Sequence, residues 1–141
     1  MATLVQVPLE DVKARVTAVL PRFEQVAGAY LFGSCLDRCR PDSDLDLGLV
    51  LFPGTEEPPG WGFAGLEAAV ETALGRIAGH AFHVSALRLE QVLFALKVIR
   101  EGLLVYCLSE QVVGDFVERV ARAHHDLGYR HRLALREVLG Q

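Results

Sequence analysis

The chain has 141 residues, 51% hydrophobic and 23% charged, which excludes a disordered segment and suits one domain with a real core. A net charge of −4 and a pI near 5.7 argue against broad, charge-driven binding of nucleic acid. No run approaches the roughly 18 apolar residues of a membrane helix and the start lacks a basic stretch, so a soluble cytoplasmic protein is expected.

Apolar residues Leu9, Val12, Val16, Val19 and Leu20 recur at helical spacing, and with Pro8 near the first turn they predict a helix over 8–23. Tyr30-Leu31-Phe32 reads as a short strand that ends at Gly33-Ser34. Glycine has no Cβ, so a phosphate can approach the backbone there closely, and the Ser34 hydroxyl adds a donor. After a nine-residue spacer the chain reads Asp44-Leu45-Asp46-Leu47-Gly48-Leu49-Val50-Leu51. Side chains alternate across a strand, so Leu45, Leu47 and Leu49 point one way, to the core, while Asp44 and Asp46 point the other at one exposed strand end. Magnesium takes oxygen ligands at about 2.0–2.1 Å and is commonly held by one or two carboxylates plus substrate phosphates. Two such ions about 3.5–4 Å apart clamp the attacking and leaving oxygens of an in-line displacement. Each fragment alone is an ordinary turn. In this order they point to nucleotidyl transfer, with a nucleoside triphosphate and Mg2+ or Mn2+ held between Gly33-Ser34 and Asp44/Asp46.

Residues 53–60, dense in proline and glycine, form a loop. The 65–77 stretch reads as a helix with Leu66, Ala69, Val70, Ala73 and Ile77 inward, in spite of Gly75. A strand over 81–87, a helix over 90–100 and a strand over 103–107 follow, and Ser109 is placed to cap a final long helix. In the 81–87 strand His83 and Ser85 share one face, Phe82 and Val84 the other.

At these residues the sequence resembles the DNA polymerase β-like nucleotidyltransferase superfamily, and its smallest, MNT-type minimal members in particular. Gly33-Ser34 and Pro41-Asp42-Ser43-Asp44-Leu45-Asp46-Leu47 carry the resemblance, with a looser match ending in Ile99-Arg-Glu-Gly-Leu-Leu-Val-Tyr106. It implies an α/β (α+β) fold: a short mixed sheet of about four strands flanked by helices, a single nucleotidyltransferase domain over 1–141, with 109–141 a C-terminal helical segment. It also implies Asp44 and Asp46 as catalytic metal ligands, Gly33 and Ser34 as nucleotide-binding residues, and ATP or another nucleoside triphosphate as substrate.

Two positions depart from the family pattern. Many members follow Gly-Ser with Arg-Ala-Arg-Gly, whereas Cys35-Leu36-Asp37-Arg38 stands here. The family's third carboxylate, on a later strand, is replaced by His83. Imidazole is a poor magnesium ligand, but it titrates near neutrality and can act as a general base. His83 is thus either a catalytic base or a histidine beside an impaired site.

Cys35, Cys39 and Cys107 are an odd number and imply no disulfide framework. Cys35-x3-Cys39 with His80-x2-His83 has the donor types of a Cys2His2 zinc site, and ordinary reduced thiols are the reading preferred over it. The tail carries His124, His125 and His131 among five arginines. Arg119-x4-His124 imitates the spacing of HEPN ribonucleases, but this tail alone cannot supply their helical bundle. An apolar stripe continuing to Leu135 and Val138 is longer than a small sheet needs and suggests contact with another subunit or a helical partner. The resemblance points the same way, since MNT proteins are often assembled with HEPN partners.

Three functions follow from this reading. One is transfer of an AMP-like group to a hydroxyl, with a tyrosine of a HEPN toxin as the favoured acceptor and an antitoxin role. The second is a catalytically impaired module that binds nucleotide and neutralises a partner by contact. An aminoglycoside-modifying or RNA-tailing enzyme is the third, disfavoured because 141 residues leave little room for a substrate domain.

Overall fold

The computed structural model describes residues 3–55 and 62–139, without the side chains of His131, Leu135, Val138 and Leu139. A five-stranded mixed sheet is built from β2 (Val26–Phe32), β4 (Leu45–Leu51), β5 (Arg76–Ile77), β6 (His80–Ala86) and β7 (Leu103–Cys107), in the order β5-β6-β4-β2-β7. β4 and β6 run parallel, and the other pairings are antiparallel. Two short strands, β1 (Val5–Gln6) and β3 (Arg38–Cys39), pair separately.

Both faces of the sheet are covered. On one, α1 (Leu9–Val19) and α2 (Ala64–Leu74) bring Val12, Val16, Val70 and Leu74 against Leu31, Leu45, Leu47 and Leu49. On the other, α3 (Val92–Glu101) and α4 (Glu110–Leu139) bring Val98 and Val113 against Tyr30, Val50 and Leu87. The leucine face of β4 is therefore buried as expected. Its opposite face is apolar where Gly48 and Val50 lie under helices and acidic only at the end that emerges beyond them.

The short mixed sheet of about four strands is present, with the two-residue β5 added at one edge, and element bounds differ from expectation for identifiable reasons. β2 begins at Val26 because Val26, Ala27 and Ala29 are fully buried and extend the pairing with β4. The helix expected over 65–77 ends at Leu74, since Gly75 adopts φ +68 and turns the chain, so Arg76 and Ile77 pair with β6 instead. The 8–23 helix is α1 followed by a 3-10 turn over Leu20–Arg22, and the 90–100 helix likewise opens with a 3-10 turn over Leu89–Gln91. Of the 53–60 loop, residues 56–60 lie outside the described residues.

Beyond its short pairing with β5, one edge of β6 has no strand neighbour among the described residues, and α2 supplies the acceptors instead. Glu71 Oε1 accepts from Val84 N at 2.9 Å and Glu67 Oε2 accepts from Ala86 N at 2.7 Å. One helical turn apart, the two carboxylates satisfy two N–H groups that would otherwise be orphaned. Ser109 caps α4 as expected, its Oγ accepting from Val112 N at 3.2 Å. Past the buried Val120, the larger apolar side chains Leu127, Tyr129 and Leu133 are exposed. The expected continuation of the stripe to Leu135 and Val138 lies outside the described side chains. Among the described residues no helix is long and apolar enough to cross a membrane.

Candidate active site

Antiparallel pairing of β2 with β4 sets Phe32 opposite Asp46, so the turn that leaves β2 comes down beside the end where β4 begins. Gly33 makes this approach with φ +88 and ψ −169, a conformation open essentially to glycine alone. A Cβ at this position would collide with Oδ2 of Asp46. The glycine turn and the carboxylate strand thus touch through the one residue type that leaves room. Ser34 opens a short 3-10 turn and is exposed to solvent beside them.

Asp44 is exposed, and Asp46 is half-buried at the end of β4. Burial pushes the Asp46 carboxyl above its ordinary range, His83 draws it back down, and the neighbouring Asp44 charge raises it again. A carboxylate held in this way favours a cation that would relieve both the desolvation and the repulsion. Two hard oxygen donors at one strand end fit Mg2+ or Mn2+.

His83 lies where the sequence places it. The parallel register sets it directly opposite Asp46, and its Nδ1 is 3.5 Å from Asp46 Oδ1. Its side chain is 61% exposed while Phe82 and Val84 are buried, so the expected alternation of faces holds. No carboxylate takes the opposite position on β6. The described acids of α2, Glu67 and Glu71, are committed to the strand's far edge.

His80 was considered in the sequence only as a zinc donor. It is the one buried polar residue among those described, and its Nδ1 is 2.7 Å from the Ser43 carbonyl, immediately before Asp44. The signal was a histidine at the start of the strand that pairs in parallel with the Asp-x-Asp strand. Cys35 and Cys39, expected as reduced thiols, have Cα atoms 5.0 Å apart and are paired as a disulfide. The Cys2His2 grouping is not formed, because His83 projects from the face of β6 opposite to His80. Cys107 is free and exposed.

The fold is shared with solved structures. One described as a toxin-antitoxin with AMP-PNP superposes with a TM-score of 0.59 at 14% identity, over 90% of this chain and 98% of that one. The toxin-antitoxin MntA-HepT gives 0.58 at 13% identity, over 92% and 98%. A tri-AMPylated Shewanella oneidensis HEPN toxin in complex with MNT antitoxin gives 0.59 at 14%, over 94% and 99%. A comparison with curated proteins found no match. Residues 15–111, which include the glycine turn, both aspartates and His83, match the family described as polymerase beta, nucleotidyltransferase, and the chain belongs to that family, with the fold of its minimal MNT-type members.

Proposed function

We propose that this chain is a cytoplasmic, metal-dependent nucleotidyltransferase that moves a nucleoside monophosphate, AMP from ATP in the first instance, to a hydroxyl acceptor. The acceptor we favour is a tyrosine of a HEPN-type toxin, which the modification neutralises. The observation that carries this reading is the close packing of Gly33 against Asp46, which brings the glycine turn and the carboxylate strand end together with no room for a Cβ between them. The names of the similar structures, an AMP-PNP complex and an AMPylated HEPN toxin, support the nucleotide and the partner. We take residues 1–141 as one nucleotidyltransferase domain, with 109–141 its helical extension. A groove of about 520 Å3 between α3 and α4, lined by Leu93, Phe94, Ala123 and Leu127, is a surface for the partner, with a second copy of this chain as the other candidate.

In this mechanism the Gly33 and Ser34 backbone and the Ser34 hydroxyl hold the triphosphate, while Asp44 and Asp46 would hold Mg2+ or Mn2+. When bound, the metal neutralises phosphate charge and stabilises the leaving oxygen. The acceptor oxygen bonds to the α-phosphorus, the bond to the bridging oxygen breaks, and pyrophosphate leaves. Asp46 Oδ1, on the Nδ1 side of His83, steadies that nitrogen as the donor and leaves the exposed Nε2 to take the acceptor's proton.

A second reading, a catalytically impaired module that binds nucleotide and neutralises its partner by contact, is favoured by one observation. The register partner of Asp46 on β6 is an imidazole and not a third carboxylate. Intact-mass spectrometry separates the two after incubation of the chain with ATP, Mg2+ or Mn2+ and the product of the neighbouring gene. AMP adducts on a partner tyrosine support transfer. An unmodified partner whose activity is nevertheless blocked overturns it in favour of the second reading.

A further inference from the structure

We propose that the reduced chain binds one thiophilic divalent cation, zinc, through Cys35, Cys39 and His80, at a site separate from the carboxylates. The three side chains come from the 3-10 turn after Gly33, from β3 and from the start of β6. They are 1%, 2% and 3% exposed, and their donor atoms lie within 4.8 Å of one another. Among the described residues no other group of three His, Cys, Asp or Glu donors is this close. Asp44, Asp46 and His83 do not form one.

The donor chemistry selects the ion. Two thiolates and an imidazole suit zinc, not magnesium, and three protein donors leave a fourth position for water or an added ligand. A carbonyl only accepts, so the 2.7 Å contact with Ser43 O assigns the proton to Nδ1 and leaves Nε2 with a bare lone pair. Cys35 Sγ also lies 3.4 Å from the Asp44 carbonyl, which accepts its S–H in the thiol form.

The disulfide and the metal site are alternatives, because a disulfide offers no thiolate. A dithiol reductant opens Cys35–Cys39 by exchange, yielding two thiols and the oxidised reductant, and zinc binding then releases the two thiol protons. The disulfide ties together only the two ends of a short loop. The cation would reach across to His80 and so pin the whole spacer, from the residue after Ser34 to the one before Asp44.

The test uses the full chain carrying Cys107→Ser, reduced, freed of reductant without air, and loaded with Zn2+ or Co2+. It does not depend on any transfer activity. About one zinc per chain retained through gel filtration, and thiolate-to-cobalt charge-transfer absorption, are the expected results. Both should vanish in Cys35→Ser and Cys39→Ser, and His80→Asn, which removes a direct donor, should weaken zinc binding by at least about tenfold. The oxidised Cys107→Ser chain, folded but lacking thiolates, should retain none, which serves as control should a further serine variant not fold. A reduced chain with two titratable thiols that retains no zinc, or equal retention by the oxidised chain, overturns the proposal.

Discussion

Gly33→Ala probes the contact between the glycine turn and the carboxylate strand. At φ +88 and ψ −169 an alanine costs about 1–3 kcal/mol in backbone strain alone. With about 2.1 cal/mol/K of unfolding entropy per residue, the 141-residue chain should melt roughly 3–10 °C lower. The new Cβ also meets Asp46 Oδ2, so the carboxylate must move and metal-dependent ATP affinity should fall about tenfold or more, a loss of about 1.4 kcal/mol. Gly54→Ala is the control, because Gly54 shares the left-handed backbone at φ +86 but a Cβ there meets nothing within 4 Å. It should lower the melting temperature and leave ATP binding unchanged. Calorimetric titration with ATP and Mg2+, beside thermal melts of both variants, reads the two effects separately. ATP binding lost equally in both, or kept in both, would refute the role given to the Gly33–Asp46 contact.

Three further substitutions test the fold and the site. Leu47 is fully buried, set between Leu31 and Val84 on neighbouring strands, so Leu47→Ala should cost about 2–5 kcal/mol, and a denaturation midpoint equal to the parent's would mean the strand faces are reversed. Asp46 has a raised carboxyl pKa, so the folded state holds its proton more tightly than the unfolded, and ionisation destabilises the fold as pH rises from the ordinary aspartate value through the raised one. Asp46→Asn should therefore raise the melting temperature of the metal-free chain at neutral pH, with the gain disappearing below the ordinary aspartate pKa; a gain that persists in acid would contradict burial as the cause. His83→Asp should strengthen metal-dependent ATP binding by adding a hard oxygen opposite Asp46. Transfer that rises with it identifies a missing ligand, transfer that falls at neutral pH identifies His83 as the base, and no change in either leaves the residue without a role.

The parts legible in the sequence were those governed by local periodicity. Alternation along 44–51 assigned Leu45, Leu47 and Leu49 to the core and the two aspartates to an open strand end, because the period of a strand is short enough to read directly. Alternation set His83 and Ser85 on one face, the family resemblance put His83 in the place of a third acid, and the register sets it opposite Asp46. What escaped the reading depended on residues far apart in the chain. The pairing of Val5 with Cys39, and of Glu67 and Glu71 with the edge of β6, has no local signature. His80 entered only as one donor of a zinc grouping, because nothing nearby in the sequence reveals that Ser43 would come to meet it. Gly75 was a local signal that was under-weighted: the apolar spacing through Ile77 continued a helix that its backbone ended.

Magnesium-dependent ATP binding by Asp44→Ala and Asp46→Ala, measured by calorimetry against the parent, tests most directly whether the glycine turn and the β4 end form one nucleoside triphosphate site. Both readings of the function require that site, whatever the acceptor. The parent should bind ATP only with Mg2+ or Mn2+ present, and each variant should lose about tenfold or more in affinity while still folding, since the two carboxylates repel each other when no metal is bound. Unchanged metal-dependent binding in both variants would remove Asp44 and Asp46 from the site.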